Sequence, residues 1–212
     1  MIIILLGPPG SGKGTQANFI QSKLSIPHLS TGDILRQSVQ NETNLGIKVK
    51  DVMAEGKLVS DDLVLDVIKE RISESDCNQG FILDGYPRNI VQAESLNIVL
   101  KDINRNIDRI LFLDVDFAVL QSRIESRSKE NNEQKRVDDT SEVLIKRLDE
   151  YRSQTAPLSE YYKKDKKFKK INGMKSISEV SLDIENFLNN DIQLVDCKDL
   201  RTIIRKFISF YE

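Results

Sequence analysis

Short runs of almost uninterrupted apolar residues mark the predicted strands of this chain. Three such runs are clear, at Ile2–Leu6, Phe81–Leu83 and Arg109–Val115. Phe168–Ile171, which two lysines interrupt, is a weaker fourth candidate, and Pro27–Ser30 can add a fifth, shorter strand. Continuous apolar runs, unlike alternating ones, are typical of parallel strands that are covered on both faces of a sheet. The pattern therefore predicts a buried parallel sheet.

Between these runs the apolar residues recur at helical spacing. The stripes are Ala17, Ile20 and Leu24; Val49, Val52 and Met53; Leu63, Val67 and Ile68; and Val143, Leu144, Leu148 and Tyr151. Ser176 and Glu179 have the spacing of a capping box, and another apolar stripe follows them. Strand and helix in alternation predict a doubly wound α/β domain.

Two segments interrupt the alternation. Residues from about Thr31 to Val59 are helical in pattern and contribute no clear strand, which indicates an inserted helical lobe. Ser126–Asp138 is polar and charged, and its composition alone favours a surface loop.

Composition narrows the function classes. The 212 residues carry 31 Lys+Arg and 33 Asp+Glu, a net charge of −2, which argues against a dedicated nucleic-acid binder. The lysine run at 163–170 is interpreted as a solvated surface. The two cysteines, Cys77 and Cys197, supply neither a disulfide framework nor a four-cysteine zinc site. Met1–Leu6 is too short for a membrane span, so we expect a soluble cytoplasmic protein without an integral membrane segment.

The strongest chemical signal is the sequence Gly-Pro-Pro-Gly-Ser-Gly-Lys-Gly-Thr at Gly7–Thr15. It contains the Gly-x4-Gly-Lys part of the P-loop pattern, directly after a predicted strand and before a predicted helix. In such a loop, backbone N–H groups and the positive end of the helix dipole face phosphate oxygens. Lys13 would bring a point charge to the β- and γ-phosphates.

The loop departs from the general pattern at one position. Gly14 follows the lysine where Ser or Thr is usual, and Thr15 comes one residue later. Mg²⁺ is therefore expected to be held mostly by phosphates and water. The guanine-recognition sequence Asn-Lys-x-Asp and the switch sequence Asp-x-x-Gly are both missing, which argues against a GTPase.

Further motifs follow the loop in a specific order. They are Leu29–Asp33 with Leu35 and Arg36, then Gly56–Val59, Gly80–Arg88 and Ala156–Leu158. From Met1 to about Asn190 the chain resembles adenylate kinases of the short-lid type, within the nucleoside monophosphate kinase family. Tyr86 stands where phenylalanine is commoner.

The resemblance implies a domain plan. It is an α/β P-loop parallel sheet flanked by helices, with a core formed by residues 1–29, 60–125 and 139–190. Residues 30–59 would form the helical NMP-binding lobe, and residues 126–138 a short lid that excludes water. Residues 191–212 lie beyond the match. Their pattern fits a helix packed on the core or, alternatively, a basic amphipathic helix that meets a membrane surface or a partner.

The resemblance also implies the site residues. The catalytic residues would be Lys13, Arg88, Arg123, Arg136 and Arg147. The ATP-binding residues would be Gly10, Ser11, Gly12, Lys13, Gly14, Thr15, Arg123, Arg127 and Lys175. The AMP-binding residues would be Thr31, Arg36, Lys57, Leu58, Val59, Gly85, Tyr86, Pro87, Arg88, Gln92, Arg136 and Arg147. Arginine suits this chemistry because its planar fork grips phosphate oxygens and keeps its charge.

A magnesium site is expected at the end of the Phe81–Leu83 strand. Asp84 would bind Mg²⁺ through water, with Asp33 as a weaker candidate. Zinc is not expected, since no cysteine lies near the predicted lid. His28, the only histidine, is expected to end a strand rather than to catalyse.

The resemblance gives ATP and AMP as substrates, with transfer of a phosphoryl group yielding two ADP and serving adenine nucleotide homeostasis. Thr31 and Gln92 favour AMP as the acceptor. A UMP/CMP kinase of the same fold is the alternative, since Arg88 followed by Asn89 is reminiscent of that type. A nucleotide-binding protein without catalysis is a further alternative. We expect a monomer.

Overall fold

The computed structural model describes residues 1–120, 122–123 and 141–189 of the chain. The predicted lid at 126–138 and the extension at 191–212 lie outside the described residues, as do Arg127 and Arg136. Within the described part, no helix is long and apolar enough to cross a membrane.

A five-stranded parallel sheet forms the centre of the fold. Its strands are β1 (Ile2–Leu6), β2 (His28–Ser30), β3 (Phe81–Asp84), β4 (Arg109–Asp114) and β5 (Phe168–Asn172). They lie side by side in the order β2-β3-β1-β4-β5, and every neighbouring pair is parallel. The predicted α/β parallel sheet is confirmed, including the fifth short strand. The expectation for His28 is wrong, because this residue begins β2 instead of ending a strand.

Helices connect the strands and cover the sheet. They are α1 (Lys13–Leu24), α2 (Thr31–Gln40), α3 (Asn44–Ala54), α4 (Asp61–Ile72), α5 (Ile90–Asp102), α6 (residues 117–120 and 122–123), α7 (Ser141–Glu150), α8 (Leu158–Tyr162) and α9 (residues 177–189). A 3₁₀ turn occupies Ser75–Cys77, and a π-helical segment at Tyr151–Thr155 continues α7. Two helices, α2 and α3, fill the segment for which the sequence predicted a helical insertion.

Side-chain caps fix where several helices begin. Ser30 Oγ accepts a hydrogen bond from the N–H of Asp33 at the start of α2, and Thr43 Oγ1 accepts one from Gly46 at the start of α3. The capping box predicted before α9 is confirmed. Ser176 Oγ accepts from the N–H of Glu179 at 3.4 Å, and the Glu179 carboxylate accepts from the N–H of Ser176 at 3.0 Å.

The sheet separates two layers of buried side chains. Along β1, Ile2, Ile4 and Leu6 belong to one layer, while Ile3 and Leu5 belong to the other. Successive residues of a strand point to opposite faces, so a strand that is covered on both sides must be apolar at every position. This is why β1 reads as a continuous apolar run.

The burial of β3 predicts a large effect of truncation. Leu83→Ala should lower the free energy of unfolding by about 2–5 kcal/mol, because Leu83 is fully buried and the cavity cannot fill with water. Ile98→Ala on α5 is the control. Ile98 is 61% exposed, so its change should stay within about 0.5 kcal/mol. Equal losses in urea denaturation would contradict this placement of the core.

Candidate active site

A cleft of about 910 Å³ opens at the carboxyl edge of the sheet. Its walls include the loop after β1, the end of β3 and the start of α2. Ligands of open α/β sheets bind at this edge, and the volume is that of a small-molecule site. The structure thus gathers the main predicted motifs around one space.

The loop after β1 has the backbone of a phosphate cradle. Gly12 has φ 93° and lies immediately before α1, in the left-handed region that side chains avoid. At Gly7, a Cβ atom would lie 2.8 Å from Ser11 Oγ and 2.9 Å from the carbonyl oxygen of Leu113. The glycines therefore permit a wrap that brings backbone N–H groups and the start of α1 to the cleft.

Lys13 is the first residue of α1 and lies over this loop. Its Nζ donates to the carbonyl oxygens of Gly7 at 2.9 Å and Pro8 at 3.1 Å. The ammonium group is consequently held at the mouth of the cradle. A phosphate entering the loop would meet a positive charge that is already in place.

Asp84 ends β3 and lies between Ser30 of β2 and Leu5 of β1 in the strand register. Only 8% of the residue is exposed, yet it reaches the wall of the cleft. His28 Nε2 lies 3.2 Å from Asp84 Oδ2, so the imidazole fixes one oxygen of the carboxylate. This contact has no signal in the sequence, because 56 positions separate His28 from Asp84 and no single motif contains both residues.

The donor set of the cleft fits a magnesium ion held through water. Mg²⁺ is commonly bound by one or two carboxylates together with substrate phosphates and several waters. Asp84 offers a carboxylate beside the phosphate loop, and Asp33 lies in the same wall. Asp33 is also paired with Arg36, whose Nη2 lies 2.5 Å from Asp33 Oδ1. Among the described residues, no group of three or more His, Cys, Asp or Glu side chains forms a metal cluster.

Four of the predicted arginines line the same cleft as the phosphate loop. Three of them form one group, with Arg36 on α2, Arg88 after β3 and Arg147 on α7, while Arg123 is at the other end of the cleft. Arg88 is oriented by a hydrogen bond from its Nε to the carbonyl oxygen of Gly85, at 2.8 Å. Arg147 lies against the end of the α2–α3 segment, since a Cβ atom on Gly56 would be 3.3 Å from Arg147 Cγ. Guanidinium groups from three separate elements thus face one space.

A side cavity of about 50 Å³ adjoins this arginine group. Its lining contains predicted acceptor-site residues, namely Thr31, Arg36, Lys57, Leu58, Val59, Arg88, Gln92 and Arg147. Thr31 and Gln92 are each 2% exposed. Thr31 Oγ1 donates to the carbonyl oxygen of Gly85 at 3.0 Å, which ties the start of α2 to the end of β3.

The opposite end of the cleft carries the other predicted ATP residues. Arg123 on α6 donates from Nη2 to the carbonyl oxygen of Gly173 at 3.0 Å. Lys175, in the loop after β5, lines the cleft and pairs with Asp183 at 2.6 Å. Gln16, which the sequence motifs do not single out, donates to the carbonyl oxygen of Ile177 and so joins the phosphate-loop helix to the start of α9.

Two predicted acceptor residues are placed differently from the rest. Tyr86 is fully buried in the core, and its hydroxyl donates to the carbonyl oxygen of Gln92 at 3.3 Å, so it does not line the cleft. Lys57 touches the side cavity, but its side chain is 69% exposed and pairs with Glu55. The Asn89 side chain caps α5, because its Oδ1 accepts from the N–H of Gln92 at 2.8 Å.

The glycines on the two sides of Lys13 should respond oppositely to substitution. Gly12→Ala should lower the free energy of unfolding by about 1–2 kcal/mol, since an alanine must adopt the left-handed backbone at this position. Gly14→Ala, in the first turn of α1 and with open space around a Cβ, should raise it by about 0.4–1 kcal/mol. Thermal unfolding without nucleotide compares the two, and a stable Gly12→Ala variant would contradict the loop conformation.

Comparison with known proteins agrees with this geometry. The family model for adenylate kinase matches residues 5–167. The adenylate kinase of Methanocella arvoryzae is 44% identical, with 87% of this chain and 97% of the relative aligned. The adenylate kinase of Brucella ovis is 47% identical, with 89% and 98% aligned, and that of Bartonella tribocorum is 45% identical, with 89% and 100% aligned. With the phosphate loop, the arginine-lined cleft and these matches together, the chain belongs to the adenylate kinase family.

Proposed function

We propose that the cleft transfers the γ-phosphoryl group of ATP to AMP, reversibly, giving two ADP. The observation that carries this proposal is that the phosphate loop and the guanidinium groups of Arg36, Arg88 and Arg147 line one cleft. Two polyanionic substrates repel each other, so a site that joins them must neutralise charge and hold both in line. A maintenance role in adenine nucleotide balance follows from this reaction.

The bond changes require no general base. An oxygen of the AMP phosphate, already anionic, forms a bond to the γ-phosphorus of ATP while the bond to the β,γ-bridging oxygen breaks. ADP leaves with that electron pair. Catalysis is then positioning and charge stabilisation, which are what backbone N–H groups, Lys13 and arginines provide.

ATP would bind with its phosphates in the loop. Gly10, Ser11, Gly12, Gly14 and Thr15 line this part of the cleft and would surround the phosphates, and Lys13 would lie over the β- and γ-phosphates. Arg123 and Lys175 flank the loop after β5, where they would meet the base and phosphates of ATP.

AMP would bind across the arginine group. Arg36 and Arg88 are proposed to hold its phosphate, with Arg147 between the two substrates. Its base would enter the side cavity, where Thr31, Leu58, Val59 and Gln92 form the wall. Gly85 and Pro87 shape the cleft beside Arg88, and Tyr86 supports them from the core.

Adenylate kinases use Mg²⁺ with ATP, and when bound it neutralises charge on the phosphate oxygens. We propose that the Asp84 carboxylate would accept a hydrogen bond from a water molecule bound to that ion, since Asp84 Oδ2 is held in place by His28. Asp33 would join it only when Arg36 leaves Asp33 for a phosphate. No zinc is assigned.

Other parts of the proposal rest on the family resemblance alone. Residues 126–138 would form a short lid, from which Arg127 and Arg136 reach the phosphates. The domain plan places residues 30–59 as the NMP-binding lobe. We also expect a monomer in the cytoplasm.

Removal of the Arg88 guanidinium group should lower the turnover rate far more than it weakens ATP binding. Arg88→Ala should lower kcat by about 10²–10³-fold, the usual cost of losing one charge-stabilising donor. ATP affinity, measured by calorimetry, should stay largely unchanged because Arg88 is on the acceptor side. Arg88→Lys keeps the charge without the bidentate fork and should recover only part of the rate. Normal turnover in Arg88→Ala would remove this residue from the mechanism.

The acceptor is tested by a coupled assay with AMP, CMP, UMP and GMP at equal concentrations. AMP should give the highest kcat/KM, since Gln92 can meet the edge of adenine with one donor and one acceptor. Equal or faster turnover of CMP or UMP would favour the pyrimidine alternative. Tight nucleotide binding with no transfer would favour a protein that binds without catalysis.

A further inference from the structure

Asp61, at the start of α4, contacts two amide side chains, those of Asn89 and of Gln92, and Gln92 lines the side cavity. Its Oδ1 accepts a hydrogen bond from Gln92 Nε2 at 2.7 Å. Both of its oxygens lie 3.1 Å from Asn89 Nδ2. Asp61 belongs to none of the motifs in the sequence, and its position 31 residues before Gln92 gives no local signal.

The amide of Gln92 is held from both ends. Its Oε1 accepts from the backbone N–H of Arg88 at 2.7 Å, while its Nε2 donates to Asp61. A backbone N–H can only donate, and an ionised carboxylate can only accept. A flip of the amide would place two donors together at Arg88 and two acceptors together at Asp61. Both contacts therefore impose the same orientation on Gln92.

This orientation decides what Gln92 offers to the cavity. After the two internal hydrogen bonds, the amide retains the capacity for one further donation from Nε2 and one further acceptance at Oε1. Adenine has an acceptor at N1 and a donor at its 6-amino group. Hypoxanthine, with the same shape, has a donor at N1 and an acceptor at its 6-oxo group. An amide fixed one way matches the first base, and a flipped amide matches the second.

We propose that Asp61 is a positioning residue that fixes the Gln92 amide and thereby sets the preference of the acceptor site for a 6-aminopurine over a 6-oxopurine. This inference rests on the proposed function, in which Gln92 meets the base of the acceptor. Asp61 itself touches no substrate. An ionised carboxylate accepts hydrogen bonds at both oxygens and donates none, whichever way it rotates. Asp61 therefore excludes the Gln92 orientation in which the amide oxygen would face it.

The Asn89 contact strengthens the arrangement. Asn89 Nδ2 is directed to Asp61, which leaves Asn89 Oδ1 to accept from the N–H of Gln92 at 2.8 Å. Asp61 thus orients two amide side chains: that of Gln92, which lines the cavity, and that of Asn89, which caps the helix that carries Gln92. The carboxylate receives these hydrogen bonds in a partly buried position, where an amide without its partner is costly.

The test compares AMP with inosine monophosphate, which differs from AMP only at the edge that Gln92 would meet. Asp61→Asn replaces the carboxylate by an amide that can rotate and present either a donor or an acceptor. Asp61→Ser also removes the carboxylate, with a smaller side chain that can both donate and accept. In both, the ratio of kcat/KM for AMP to that for inosine monophosphate should fall by about tenfold or more. Inosine monophosphate is also measured as a competitive inhibitor against AMP, where its Ki should fall.

Two controls separate positioning from general damage. Asp62→Asn removes the same charge from the same first turn of α4, where Asp62 is exposed, and should leave the ratio unchanged. Asp61→Glu keeps an ionised acceptor and should retain most of the discrimination. Thermal unfolding of every variant shows whether the fold is retained. A loss of rate that is equal for both monophosphates in Asp61→Asn and Asp61→Ser would overturn the inference, because it indicates a purely structural role.

Gln92→Leu distinguishes the two levels of the proposal. If this variant loses the discrimination while the Asp61 variants keep it, Gln92 reads the base but Asp61 does not set its orientation, and the inference fails alone. If Gln92→Leu keeps the discrimination, the proposed contact between Gln92 and the base is wrong, and the inference fails with it. Loss of discrimination in Gln92→Leu and in both Asp61 variants is the expected result.

Discussion

The parallel arrangement of the five strands is the constraint on which the site depends. Parallel strands end at the same edge of a sheet. This arrangement brings together three sites that are far apart along the chain: the loop after β1, Asp84 at the end of β3 and Thr31 after β2. The three central strands, β3, β1 and β4, are buried on both faces over nearly their whole length, which makes their positions rigid. Charged groups that must meet two polyanions are therefore mounted on the least deformable part of the molecule.

Much of this arrangement follows from local sequence. A strand that is covered on both faces has a distinctive apolar run, so the three central strands were predictable to within a few residues, including the end of β3 near Asp84. The phosphate loop was equally predictable from the sequence, because its glycines, its lysine and its flanking strand and helix are contiguous. The capping box at Ser176 and Glu179 is a third feature of this kind, since three residues separate its partners.

Contacts between distant segments were not predictable in the same way. His28 and Asp84 meet because β2 and β3 pair in a particular register, and Asp61 meets Gln92 because α4 and α5 bring their N-terminal ends together. No spacing rule encodes such pairs. Tyr86 shows the converse, since a residue inside a recognisable motif lies in the core and supports the site from behind. Motif membership identifies the neighbourhood of a residue but not the direction of its side chain.

The pairing of Arg36 with Asp33 has a consequence for selectivity among anions. The guanidinium group already has a carboxylate partner within the chain, so an incoming anion must exchange with that partner rather than occupy an empty position. The net gain is the difference between two ion pairs, and it is small for a weakly charged or poorly shaped anion. A dianionic phosphate monoester that other arginines hold at the same time gains more than it displaces. The internal carboxylate thus lowers the net gain from any single anion at Arg36, and this reduction matters least for a phosphate that several arginines hold together.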